Sequence, residues 1–125
     1  MTPDEMKKRT KKFALDILRF IATLPRGPVY DIVKPQLGRA GTSVAANYRA
    51  ACRAKSQADF IAKMSTVEEE SDESSFWLEI LTEGGFSPAQ QTAPLIREAN
   101  EILSIVVASI NTARGTPRSS GRGRG

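Results

Sequence analysis

The stretch from Leu37 to Leu81, LGRAGTSVAANYRAACRAKSQADFIAKMSTVEEESDESSFWLEIL, limits the fold more than any other part of the chain. In its first arm Leu37, Gly41, Val44, Tyr48 and Ala51 recur at steps of four and three, which places them on one face of a helix. In its second arm Phe60, Met64, Val67, Ser71, Ser74, Leu78 and Leu81 do the same. Only a very short break, at Lys55-Ser56, separates the two arms. Helices this long joined so tightly fold back on each other, so the spacing predicts an antiparallel hairpin with facing stripes.

The flanking segments supply two more helices. Thr2-Pro3-Asp4-Glu5 is a start signal, with Thr2 as N-cap, Pro3 at the first helical position and Glu5 as the capping-box acid. Phe13, Ile17, Phe20 and Leu24 then form an apolar stripe, widened by Ala14, Leu18 and Ile21. Leu24-Pro25-Arg26-Gly27-Pro28 ends this helix, because prolines and glycine so close together cannot continue it. Asp31 or Lys34 is expected to precede the second helix, with Pro35 in its first turn. Gly38 and Gly41 each weaken a helix by up to about 1 kcal/mol relative to alanine, which close packing of this small-residue segment would offset.

Ser56-x-x-Asp59 opens the third helix and Gly84-Gly85 closes it, with Phe86 folding back as an apolar contact. Ser87-Pro88-Ala89-Gln90 repeats the start signal, with Ser87 as N-cap. The fourth helix carries Ile96, Ala99, Leu103, Val106 and Ile110 on one stripe, broadened by Ile102, Ile105 and Val107. Four capped helices with short connections predict an all-α, antiparallel up-down-up-down four-helix bundle over residues 1–114. Residues 115–125, GTPRSSGRGRG, hold no apolar side chain to bury and are expected to form a disordered Arg/Gly tail, either a flexible solubilising end or a weak binder of single-stranded RNA.

Composition narrows the function. The chain has no histidine, which removes the commonest general base and the usual hydrolase and di-iron ligand sets, so we expect neither an enzyme nor a metal or other cofactor. Cys52 is the only cysteine, so no intrachain disulfide forms, and its place beside the apolar stripe predicts a small buried hydrophobe. With no signal-peptide pattern and no apolar run long enough to span a bilayer, the expected setting is the cytoplasm, away from membranes. Residues 1–56 hold twelve Lys or Arg against four Asp or Glu, while residues 57–113 hold two against ten. Such polarity either pairs one half of the chain with the other or presents faces of opposite sign to partners.

Candidate nucleic-acid contacts are Lys7, Lys8, Lys11 and Lys12 on the first helix, and Arg39, Arg49, Arg53 and Lys55 on the second. The hairpin register pairs residues whose numbers sum to about 112, which sets Arg53 near Asp59 and Arg39 near Asp72 and Glu73. These cations therefore pair within the chain, meet the acidic helix of a neighbouring subunit, or stay free as a phosphate-binding stripe. The acidic cluster Glu68, Glu69, Glu70, Asp72 and Glu73 suits arginine partners better than a metal. Asn47 is expected to be a buried amide satisfied across the bundle. Phe76 and Trp77 are adjacent and cannot share a stripe, so one is expected in the core and the other at a subunit interface.

The same stretch carries a family resemblance. Asn47-Tyr48-Arg49 within the small-residue run, the Ala54-Lys55-Ser56 turn, Asp59-Phe60, Glu69 and Glu73 on the acidic helix, Phe76-Trp77-Leu78-Glu79, and EANEILSIVVASINTAR at 98–114 resemble the 23S rRNA intervening-sequence proteins. The resemblance implies a homo-oligomeric four-helix bundle, with ring-shaped pentamers recurring in the family. A superfamily relative, the accessory variability protein of diversity-generating retroelements, works as a basic pentameric barrel with a reverse transcriptase and nucleic acid. The expected function is a self-assembling accessory or scaffold for RNA or for a nucleic-acid-processing protein. The alternative is a purely structural protein-protein interaction module.

Overall fold

The structure is a computed structural model, and it describes residues 1–115. Four helices follow in order: α1 (Pro3–Thr23), α2 (Pro28–Ala51), α3 (Gln57–Glu83) and α4 (Ala89–Ala113). Each packs on the next and α4 closes more lightly back on α1, giving an up-down four-helix bundle with α1 diagonal to α3. The expected Arg/Gly tail, apart from Gly115, lies outside the described residues.

Local signals explain most helix ends. The Thr2 side chain accepts from the Glu5 amide at 3.1 Å and Glu5 accepts from the Thr2 amide at 2.7 Å, closing the expected capping box. The bond from the Thr2 amide is the main reason the Glu5 carboxyl is held below the usual carboxylate range. Its stabilisation is therefore complete above the ordinary carboxylate pKa and is lost as pH falls through the lowered one. Thr2→Ala is expected to destabilise the bundle by about 1 kcal/mol in urea unfolding. Glu5→Gln should flatten the loss of stability between neutral and acid pH.

Three boundaries differ from expectation. The second helix starts at Pro28, not after Asp31 or Lys34, so Pro35 is interior. Pro28 takes the first helical position, where its missing N–H matters least, and Gly27 takes the φ of +146° that precedes it. Pro35 deprives the Asp31 carbonyl of its donor, but both residues are exposed and water can replace it.

The α2–α3 connection is Cys52 to Ser56 rather than a two-residue break. Tight turns, with the Arg53 amide on Ala50 O at 3.0 Å and the Ala54 amide on Ala51 O at 3.1 Å, extend the helical winding beyond Ala51. Those turns hide the helix end from any periodicity argument. The Ser56 cap is as expected, accepting from the Asp59 amide at 3.0 Å.

At the last turn, Gly85 adopts a φ of +78° after the Gly84 cap, and the Phe86 and Ser87 amides both reach Leu81 O. Phe86 folds back edge-on to Tyr30, with ring centroids 6.1 Å apart, while the Tyr30 hydroxyl donates to Phe86 O at 2.8 Å. Ser87 does not cap α4. Pro88 occupies the cap position, and the Ser87 hydroxyl is buried without a hydrogen-bond partner among the described residues.

Both stripes of the central hairpin point inward. Leu37, Gly41, Val44, Tyr48 and Ala51 are buried, as are Met64, Val67, Ser71, Ser74, Leu78 and Leu81, and Phe60 is half-buried against them. The serines fit an apolar core because their hydroxyls donate to the preceding turn, Ser71 to Val67 O and Ser74 to Glu70 O, each at 2.8 Å. On α4 the fully buried row is Thr92, Ala99, Ile102 and Val106, while Ile96 and Leu103 are half-buried, so the helix is rotated from the expected stripe. The α1 stripe is narrower than expected, because Leu18 faces outward with Leu15.

Candidate nucleic-acid interface

Lys7, Lys8 and Lys11 occupy the first turns of α1, and the antiparallel course of α2 sets Arg49 opposite them. The register of the two helices is fixed further along by Ile17 lying against Gly41 and Ile21 against Gly38. Between the four cations lies a groove of about 470 Å³, floored by Thr42, Ala45 and Ala46. Short side chains there leave a concave strip that longer ones would fill. The Thr42 hydroxyl donates to Gly38 O at 2.8 Å.

The eight candidate cations separate into two groups. Lys7, Lys8, Lys11 and Arg49 converge on the groove. Lys7 lies 3.4 Å from Asp4, whereas Lys8, Lys11 and Arg49 have no acidic partner within salt-bridge reach among the described residues. Lys12 turns to Asp16 at 2.6 Å. Arg39 is bound across the α2–α3 hairpin to Glu70, at 3.1 Å, and to Glu73. The bond to Glu73 is the main cause of the upward shift of its guanidinium pKa. Arg53 and Lys55 lie beyond the groove in the α2–α3 connection.

Two expected ion pairs are replaced by others. Arg39 takes Glu70 together with Glu73 rather than Asp72, because residues three apart share a helix face and adjacent ones do not. Arg53 does not pair with Asp59, since the longer connection changes the register there. Asp59 instead holds Lys63 at 2.7 Å and accepts from the Lys55 amide at 3.3 Å; Lys63 is the chief reason its carboxyl lies below the usual range.

Other candidates also move. Asn47 is half-buried and satisfied within its own helix, donating to Ser43 O at 3.1 Å and to the Ser43 hydroxyl at 2.8 Å, rather than across the bundle. Cys52 is exposed, not buried: it sits at the C-cap of α2, beyond Ala51, the last buried position of the stripe. Burial of the neighbouring Tyr48, with the contact to Cys52, pushes that phenol upward. Trp77 is half-buried against the core and donates to Glu73 at 3.2 Å. Phe76 stands 49% exposed, near Ile80 at 38%, on a face shared with Asp72, Glu79 and Glu83.

Two features escaped sequence reasoning. One is the groove floor: the small-residue run signalled close helix approach, but not that part of it would remain open. The other is Arg9, which bridges α1 to Glu98 at 2.7 Å and Glu101 at 2.5 Å on α4. Its bond to Glu98 is the main cause of its raised pKa. Arg9 sits within a run of lysines, and nothing in the spacing sets it apart.

Four cations around one groove can bind phosphate. Among the described residues, no three His, Cys, Asp or Glu side chains gather as metal ligands. No described helix is long and apolar enough to cross a membrane. Residues 4–108 match the family described as 23S rRNA-intervening sequence protein. The fold is similar to the crystal structure of a protein of unknown function from the S23 ribosomal protein family of Bacteroides thetaiotaomicron. That likeness has a TM-score of 0.79 at 29% sequence identity and covers 89% of this chain and 99% of the other. No curated protein matches the chain.

Proposed function

We propose, for a chain that belongs to the 23S rRNA-intervening sequence protein family, a non-enzymatic role as a self-associating scaffold for RNA. Phosphates of the RNA lie in the groove between α1 and α2. The observation that carries this reading is the convergence of Lys7, Lys8, Lys11 and Arg49 on one alanine-floored groove, with three of them free of acidic partners among the described residues. Cations that are not neutralised within the fold retain their attraction for a polyanion, and releasing its counterions drives binding.

Self-association draws support from the outer faces. α1 and α3 lie diagonally in the bundle, so their outward sides point in opposite directions. Leu15 and Leu18 are exposed on α1 near basic residues; Phe76 and Ile80 are exposed on α3 among Asp72, Glu79 and Glu83. Joining two such unlike faces is a head-to-tail contact, which forms a ring when its rotation closes. A pentamer is the closure that the family resemblance implies. The same faces serve the second reading, an interaction module without RNA.

Fluorescence anisotropy with labelled RNA separates the two. Combining Lys8→Glu, Lys11→Glu and Arg49→Glu should weaken binding about tenfold or more at physiological salt. Arg26→Glu, Lys34→Glu and Arg97→Glu together make the same change of charge outside the groove and should leave affinity within about threefold. Native mass spectrometry on the same samples reads assembly. An oligomer that binds no RNA leaves the interaction module, and a monomer ends the ring.

A further inference from the structure

We infer that the groove between α1 and α2 takes the sugar-phosphate backbone of a single RNA strand, and that it neither accommodates a duplex nor distinguishes bases. This inference rests on the RNA-binding reading and specifies its ligand.

Shape is the first argument. The cations sit around a concavity between two packed helices, whose axes in such bundles are about 8–10 Å apart. A duplex is a convex cylinder wider than that spacing, so its phosphates would touch the rim and leave the floor empty. One strand is narrow enough to settle between the helices against Ala45 and Ala46.

Spacing is the second. Lys7 and Lys11 are four residues apart on α1, a rise of about 6 Å. That is close to the step between successive phosphates of an extended strand. Lys8 lies between them along the helix, and Arg49 reaches in from α2, so the strand is held from both sides.

The lining is the third argument. Proteins that hold single strands commonly add aromatic side chains on which bases stack. This groove is lined by Lys7, Lys8, Lys11, Arg49, Thr42 and two alanines, with no aromatic among them. Thr42 has given its hydroxyl proton to Gly38 O and can only accept, while the three lysines and Arg49 can only donate, and every phosphate along a strand satisfies those donors alike. What remains is charge and a smooth floor, which fit a repeating phosphate and ribose rather than a base sequence.

The test uses the full-length protein and labelled RNAs of equal length: oligouridine, a mixed sequence, and the blunt duplex of that mixed sequence. Both single strands should bind within about threefold of each other, and the duplex about tenfold or more weaker. For a single strand, log affinity falls against log salt by about 0.7 per phosphate contact, so four contacts predict roughly a 50-fold loss between 50 and 200 mM salt. Lys11→Gln should reduce that slope by about 0.7, and Lys8→Gln, Lys11→Gln and Arg49→Gln together by about 2. Because the rest of the chain is unchanged in these variants, the difference in slope belongs to the groove. Circular dichroism of each variant confirms that the fold survives.

A duplex bound as tightly as the single strand, or a base preference above about tenfold, overturns this inference while leaving RNA binding intact. Undiminished slopes in the groove variants overturn it by placing the contacts elsewhere. Failure of the wild-type protein to bind any of the RNAs removes the RNA-binding reading itself.

Discussion

Leu78→Ala is expected to lower the unfolding free energy by about 2–5 kcal/mol, the range found when a large aliphatic side chain is removed from a packed core. Leu78 is fully buried on α3, the helix that packs on both α2 and α4. Its cluster includes Val33, Leu37, Leu81 and Ile102, all nearly or wholly inaccessible to solvent. The other inward positions nearby on α3 are Ser71, Ser74 and Ser75, whose short side chains are already committed to hydrogen bonds and cannot swing in to fill a void. The cavity should therefore stay open and the loss should fall in the upper part of the range. Urea unfolding followed by circular dichroism measures it, and a loss below about 1 kcal/mol would mean that the helices close around the gap.

The second large effect is at Gly41. A Cβ there would meet Ile17 Cγ2 at 2.9 Å, Cγ1 at 3.0 Å and Cβ at 3.1 Å. Ile17 is itself fully buried, and the Cβ at that contact is tied to the α1 backbone, so relief requires α1 to move away from α2. Gly41→Val adds two further methyl groups to that collision and should destabilise the bundle by about 3 kcal/mol, the upper end of the usual range for overpacking. Gly38 is three residues away on the same helix and behaves oppositely. Its added Cβ would meet only the tip of Ile21, at 3.3 Å, and a side-chain end can give way. Gly38→Ala should therefore be neutral or stabilising by up to about 1 kcal/mol, the difference in helix propensity. Comparing the two urea midpoints checks the prediction; equal effects at both sites would contradict the close approach at Gly41.

Much of the fold was legible because it depends on neighbours along the chain. The Thr2 capping box, the Ser56 cap, the Gly84-Gly85 stop and the two stripes of the central hairpin all follow from local hydrogen bonding and a period of 3.6 residues. The family resemblance carried by that hairpin extends over residues 4–108. Where two local signals competed, sequence reasoning failed. Pro28 reads as part of the stop after α1 but starts α2, Ser87 reads as the cap of α4 but Pro88 takes that position, and the turns after Ala51 continue a helical pattern that has already ended.

The candidate interface was legible only in part. Its cations were visible as residue types, but their fates depended on how the helices are rotated and in what register they meet. A rotation of α3 by about 100°, one residue's worth, would exchange Glu73 for Asp72 opposite Arg39. The sequence by itself determined four helices, the N-caps of α1 and α3, and a basic half of the chain followed by an acidic half, because those properties are set within a few residues. Only the tertiary structure decided that Glu70 joins the expected Glu73 on Arg39, that Arg9 closes α1 on α4, and that Lys8, Lys11 and Arg49 surround an open groove with no acidic partner among the described residues. Which charges meet across a bundle is governed by distances of a few ångströms between helices far apart in sequence, and no local spacing encodes them.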